Sequence, residues 1–173
     1  MAKIILCTDK NGGIGFENSI PWHSSEDFKH FKEETAGKIV VMGYNTWKSL
    51  PKRPLPGRLN IVLLSREYDD RDEHDIGTNV LFMDVDSIGE ILTNNPEAIV
   101  MGGARIYEAA MPYIDGIILS TVTGDYTCDT FFNVTRFDYE YYNVLSTKEL
   151  SDGTVVEYID VKVKPENIWE AND

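Results

Sequence analysis

An aspartate set among phenylalanines is the first feature of this sequence able to do chemistry. Asp27 stands beside Phe28 and one helical turn before Phe31, which places a carboxylate on the apolar face that turns inward. There it would meet a ligand. The same acid closes Ser24-Ser25-Glu26-Asp27, an S-x-x-D pattern in which it complements a helix N-terminus. Spacing alone leaves both roles open.

Two glycine junctions come next: Val41-Met42-Gly43-Tyr44-Asn45-Thr46 and Val100-Met101-Gly102-Gly103-Ala104-Arg105. Each follows an apolar run and opens a helix-like segment, where unpaired N–H groups attract phosphate and glycine allows close approach. Neither fits G-x-G-x-x-G, and a tight packing turn explains either one alone. Two in one small sheet suggest a pyrophosphate held between them. A third candidate is the long connection Gly12 to Trp22, rich in glycine yet carrying Ile14, Phe16, Ile20 and Trp22, as a mobile lid or a pinned surface loop would. Metal chemistry is not signalled. Cys7 and Cys128 form no C-x-x-C, and His23, His30 and His74 lack ligand spacing.

The elements that must position these residues follow from hydrophobic patterning. Continuous apolar runs at Ile4 to Cys7, Ile39 to Met42, Ile61 to Leu64, Ala98 to Met101 and Ile117 to Leu119 predict strands buried on both faces. Helices are predicted at about Ser25 to Thr35, Tyr44 to Leu50, Asp86 to Thr93 and Ala104 to Met111. Phe137 to Leu145 and Thr154 to Val163 partly alternate around Ser151-Asp152-Gly153, the pattern of a hairpin. The expected fold is α/β: one domain over residues 1–163, a central mostly parallel sheet flanked by about four helices, and a C-terminal antiparallel hairpin. The acidic stretch Glu67 to Asp75 reads as an exposed loop, and 164–173 as a tail.

At 173 residues the chain suits one compact core. No window approaches the ~20 apolar residues of a spanning helix, and the start has no signal-peptide layout, so a cytoplasmic protein is expected. The net charge of −13 argues against nucleic acid or an acidic membrane as partner. Yet residues 29–66 hold eight of the sixteen basic residues and only two acids. Such a segment would draw a small anion into a cleft or simply form a solvated basic face.

Several blocks together resemble the dihydrofolate reductase family. Ile14-Gly15-x-x-Asn18-x-x-Pro21-Trp22 followed by Asp27 is similar to its mobile loop and acidic pterin anchor. Met42-Gly43-x-x-Thr46-Trp47-x-Ser49 and Arg53-Pro54-Leu55-Pro56-Gly57-Arg58 resemble its second block. Ile99-Val100-Met101-Gly102-Gly103-x-x-x-Tyr107 resembles the third, and Asp129-Thr130-x-Phe132 the last. Order and spacing are those of the family over residues 1–162.

The resemblance implies NADPH-dependent reduction of dihydrofolate to tetrahydrofolate by a monomer. Asp27 would hold the pterin N3 and 2-amino group, with Trp22 and Ser120 completing the catalytic set. Ile5, Phe28, Phe31, Leu50 and Leu55 would line the pterin and benzoyl rings, with Arg58 on the glutamate α-carboxylate. For the cofactor it implies the Cys7 backbone at the nicotinamide amide, and Ile14 and Ile20 in the covering loop. Gly43, Tyr44, Asn45, Thr46, Ser65, Arg66, Met101, Gly102, Gly103, Ala104, Arg105, Ile106, Tyr107 and Thr130 fall along the rest of the cofactor.

Tyr44 and Asn45 stand where the family usually offers basic residues to the 2′-phosphate, so a narrower NADPH preference is expected, with Arg66 compensating. Ser120 replaces a usual threonine but keeps the hydroxyl, and Ala104 replaces a frequent glycine. The related reductase of riboflavin synthesis shares this fold and cofactor, but Asp27 with Arg58 favours folate. A catalytically silent pterin-binding protein would not need the acid, loop and junctions together.

Overall fold

The computed structural model describes residues 1–65 and 77–165. The acidic stretch, Arg66 and residues 166–173 of the expected tail lie outside the described residues.

An eight-stranded sheet runs in the order β5-β4-β3-β6-β1-β7-β10-β9. Its parallel strands are β1 (Ala2–Thr8), β3 (Ile39–Gly43), β4 (Leu59–Leu64), β5 (Val80–Asp84), β6 (Ile99–Gly102) and β7 (Ile114–Thr121). Val40, Val41, Met42, Val62 and Val100 are fully buried, as continuous apolar runs covered on both faces require. β9 (Tyr139–Glu149) and β10 (Val155–Val163) form the antiparallel hairpin, with β10 joined to β7. The helices are α1 (Ser25–Thr35), α2 (Tyr44–Ser49), α3 (Ile88–Asn94) and α4 (Ala104–Ala110).

Three strands escaped the sequence pattern. Val80 to Met83 is a short apolar run that periodicity cannot tell from a helical segment, and it forms the β5 edge. β2 (Gly13–Gly15) and β8 (Thr130–Phe131) pair in a separate two-stranded sheet and are too short to show any period. The expected helix from Asp86 begins as a 3-10 turn at Val85–Ser87 and becomes α-helical at Ile88, while the last helix is α-helical to Ala110 and continues as a 3-10 turn over Met111–Tyr113.

The consequence for the site is geometric. β1 sits between β6 and β7, so the carboxyl ends of β1, β3, β6 and β7 bring Cys7, Gly43, Gly102 and Ser120 to one edge of the sheet. Crevices beyond the carboxyl ends of parallel strands are where α/β sheets take ligands.

Candidate active site

Ser24 is the N-cap of α1: its Oγ accepts from the Asp27 N–H at 3.0 Å and donates to Asp152 Oδ2 at 2.5 Å. Asp152 also accepts from the Thr154 N–H at 3.0 Å. These contacts, with that from Ser24 first, hold its carboxyl below the usual range. The cap thus uses the Asp27 backbone and leaves its carboxylate to turn toward β1. There its charge, second to burial, pushes the Cys7 thiol far above its ordinary value. The cap therefore engages the Asp27 backbone and not its side chain.

Cys7 pairs with Ser120 across β1 and β7, and Ser120 is 1% exposed. The buried Trp22 indole lies near the Cys7 thiol and leans on Tyr126 at 5.3 Å. Tyr107, from α4, donates its hydroxyl to the Ile5 carbonyl at 2.7 Å. Burial, then the neighbouring Cys7 and Asp27, push that phenol well above its usual range. The floor of the site is therefore a set of neutral groups near the Asp27 carboxylate, with Asp152 as a second, weaker charge on Cys7.

Ile5, Phe31 and Met101 share an apolar cluster with Ile99, Ile118 and Val156. Met101 also joins the cluster of Trp47, against which Leu50 and Leu55 pack. These side chains make a continuous greasy wall. Phe28 is half exposed and tilts against the His23 ring at 5.9 Å.

Arg58 is 7% exposed, an unusual burial for a guanidinium. Its Nε donates to the Pro56 carbonyl and its Nη1 to Thr35 Oγ1, each at 2.9 Å. Burial lowers its pKa. The residue that sequence reading missed is Asn60. It is fully buried: Oδ1 accepts from the Leu55 N–H at 3.0 Å, and Nδ2 reaches the carbonyls of Leu55 and Arg58, both at 3.0 Å. Asn79 Nδ2 seconds it on the Arg58 carbonyl at 3.1 Å. A lone asparagine in an apolar strand run was the available signal.

On the other side, Gly43 and Gly103 are the N-caps of α2 and α4, and neither helix has a side-chain cap. Gly102 has φ +129°, a conformation that favours glycine. A Cβ there would come within 3.5 Å of Thr46 Oγ1 and 3.4 Å of the Tyr107 hydroxyl, and one on Gly43 within 3.0 Å of Ile106 Cγ1. The junctions lie side by side, since Met42 pairs with Gly102. Tyr44 is half-buried beneath Lys48 Nζ at 5.0 Å, while Asn45, Ser65 and Arg105 are exposed.

The connection before α1 is pinned at its root and middle. Asp9, 1% exposed, accepts from the N–H groups of Asn11 and Gly13, both at 2.9 Å. Asp129 accepts from the Glu17 N–H at 2.9 Å, donates its own N–H to Gly15 and receives the Thr130 hydroxyl at 3.0 Å. Ile14 packs on the core, whereas Ile20 is 53% exposed at the tip.

Comparison with known proteins agrees with this geometry. The model of the dihydrofolate reductase family matches residues 1–162. Dihydrofolate reductase of Ureaplasma parvum is 30% identical over 94% of this chain and 98% of its own length. That of Buchnera aphidicola is 34% identical over 85% and 87%. A Mycoplasmoides gallisepticum protein named segregation and condensation protein A is 33% identical over 98% of the chain, which spans 28% of that longer protein. Among solved structures, dihydrofolate reductase from Enterococcus faecalis complexed with NADP(H) and RAB-propyl superposes with a TM-score of 0.73 at 26% identity, covering 95% of this chain and 96% of its own. Family match, full-length relatives and fold agree: the chain belongs to the dihydrofolate reductase family, oxidoreductases that reduce dihydrofolate with NADPH.

Proposed function

We propose that Asp27 anchors the pterin of dihydrofolate and raises the basicity of N5, and that the surrounding residues orient the rings and exclude water. The observation that carries this reading is the Asp27 carboxylate, whose charge is felt at the Cys7 thiol on β1 and at the buried Tyr107 phenol. In low-dielectric surroundings an uncompensated carboxylate acts strongly on a nearby titrating nitrogen. Asp27 accepts from pterin N3 and the 2-amino group, Ile5, Phe31, Leu50 and Leu55 clasp the rings, and Arg58 takes the glutamate α-carboxylate.

The paired junctions fit a dinucleotide, because Gly102 takes a φ of +129° that side-chain-bearing residues rarely adopt and a Cβ on Gly43 would press on Ile106. Gly43, Thr46, Gly102, Gly103 and Ile106 would hold its phosphate region, with Ile14, Ile20 and Trp22 over the nicotinamide. Bound there, NADPH supplies the hydride that reaches pterin C6. The protein brings the two rings within about 3 to 3.5 Å and keeps bulk water away, while a water admitted by the loop carries the proton to N5. We further propose that residues 1–163 act as one domain, as a monomer in the cytoplasm. Among the described residues no helix is long and apolar enough to cross a membrane.

Asp27→Asn tests the reading. NADPH oxidation with dihydrofolate should fall strongly at neutral pH and recover in part at acidic pH, where substrate arrives already protonated. Unchanged neutral turnover would remove Asp27 from the role.

A further inference from the structure

One buried titratable group has no part in the chemistry so far. His30 lies on α1 one turn beyond Asp27 and is 3% exposed. Neither ring nitrogen has a hydrogen-bond partner among the described residues. Its Nδ1 is 4.0 Å from Glu34 Oε1, the oxygen that receives the Tyr158 hydroxyl at 2.6 Å. The imidazole stands edge-on to the Tyr158 ring, with centroids 6.2 Å apart, and Lys148 Nζ sits over that ring at 5.7 Å. Buried polar nitrogens are nearly always satisfied, and one that is not invites a functional explanation.

We propose that His30 is a positioning residue that acts through Asp27: as a neutral ring it leaves the Asp27 carboxylate uncompensated beneath the pterin, and on taking up a proton it offsets that charge and weakens its pull on N5. This rests on the reading of Asp27 as pterin anchor. The charged and titratable groups that face His30 are Asp27, Glu33 and Glu34 from α1, Lys148 from β9 and Tyr158 from β10. Burial first, then Lys148, hold the imidazole below its ordinary value, against the opposing pull of Glu34, Asp27 and Glu33. The ring is therefore neutral at neutral pH and titrates on the acid side. Charges one helical turn apart in a partly desolvated setting couple by roughly tenfold or more in equilibrium. Coupling is reciprocal, so a change at Asp27 must also be felt at His30.

The test has two arms. In the ligand-free protein, NMR titration of the His30 imidazole should show a midpoint below that of a free histidine, moving lower still in Asp27→Asn, which removes a charge that favours the imidazolium. A midpoint that ignores Asp27→Asn overturns the coupling. In the second arm, pre-steady-state hydride transfer is followed against pH in wild type and His30→Gln. The two profiles should converge above the His30 midpoint, where the wild-type ring is neutral, and again at the acid end, where N5 is protonated in both; between these limits wild type should fall below His30→Gln. Parallel profiles offset by a constant factor would mark a merely structural role and overturn the proposal. Should Asp27→Asn leave turnover intact while the NMR midpoint still moves, the anchor reading fails and the coupling stands.

Discussion

Asn60 shows how a buried amide can hold in place a residue proposed to bind substrate. Its amide ties Leu55 to Arg58, and Arg58 in turn is fixed to Thr35 at the end of α1. Asn60→Ala leaves buried backbone groups without partners and should cost about 2–3 kcal/mol. The melting temperature should fall by roughly 5–10 °C, and KM for dihydrofolate should rise more than KM for NADPH. Equal changes in the two KM values would separate Asn60 from the substrate side. The cofactor carries the second residue-scale prediction. With Tyr44 and Asn45 where basic side chains are usual, kcat/KM should favour NADPH over NADH by a smaller margin than in relatives that keep those side chains, and equal values would refute any preference. Asp27 was visible in the sequence as an acid on an apolar face, but spacing could not show that the Ser24 cap uses its backbone and frees its carboxylate. His30 and Asn60 gave no motif at all. Their importance comes from burial, which only tertiary contacts reveal.

The connection between β1 and α1 is the element on which timing depends. Asp129 fastens its middle through the Glu17 N–H, in a partly exposed contact far from the core. Asp129→Ala should lower turnover several-fold, consistent with loss of a charge-assisted hydrogen bond, while the melting temperature barely moves. A fall in melting temperature matching that of Asn60→Ala would make Asp129 a fold residue instead. The sequence showed this segment as a glycine-rich loop with large apolar residues, yet β2 and β8, which brace it, have too few residues to carry a period. Strands such as β3 and β6 were plain because their continuous apolar runs are buried on both faces. The hairpin of β9 and β10 was visible through its turn, where Gly153 has φ +88°.

At the scale of the whole molecule, His30 and Asp152 both weaken the fold as pH falls, in successive windows. His30 has a lowered pKa in the fold, so between that value and the ordinary histidine value the unfolded chain binds the proton first. Stability therefore falls as pH drops through that window. Asp152, also lowered, contributes above the ordinary aspartate value and loses its contribution as pH falls through its folded one. Melting temperatures from pH 7 to 5 should decline less steeply in His30→Gln than in wild type, and superimposable slopes would contradict this.

The hydrogen bond between Ser24 and Asp152 spans 128 positions of sequence. A ribosome releases α1 long before it makes the acid that secures its cap, and β10, which follows that acid, pairs β7 with the last strand of the sheet. Synthesis proceeds in one direction at roughly 5–20 residues per second, so the nascent chain carries its pterin-facing helix for several seconds with the cap unbraced. The brace on the α1 cap and the pairing of β10 with β7 thus both wait for the closing hairpin.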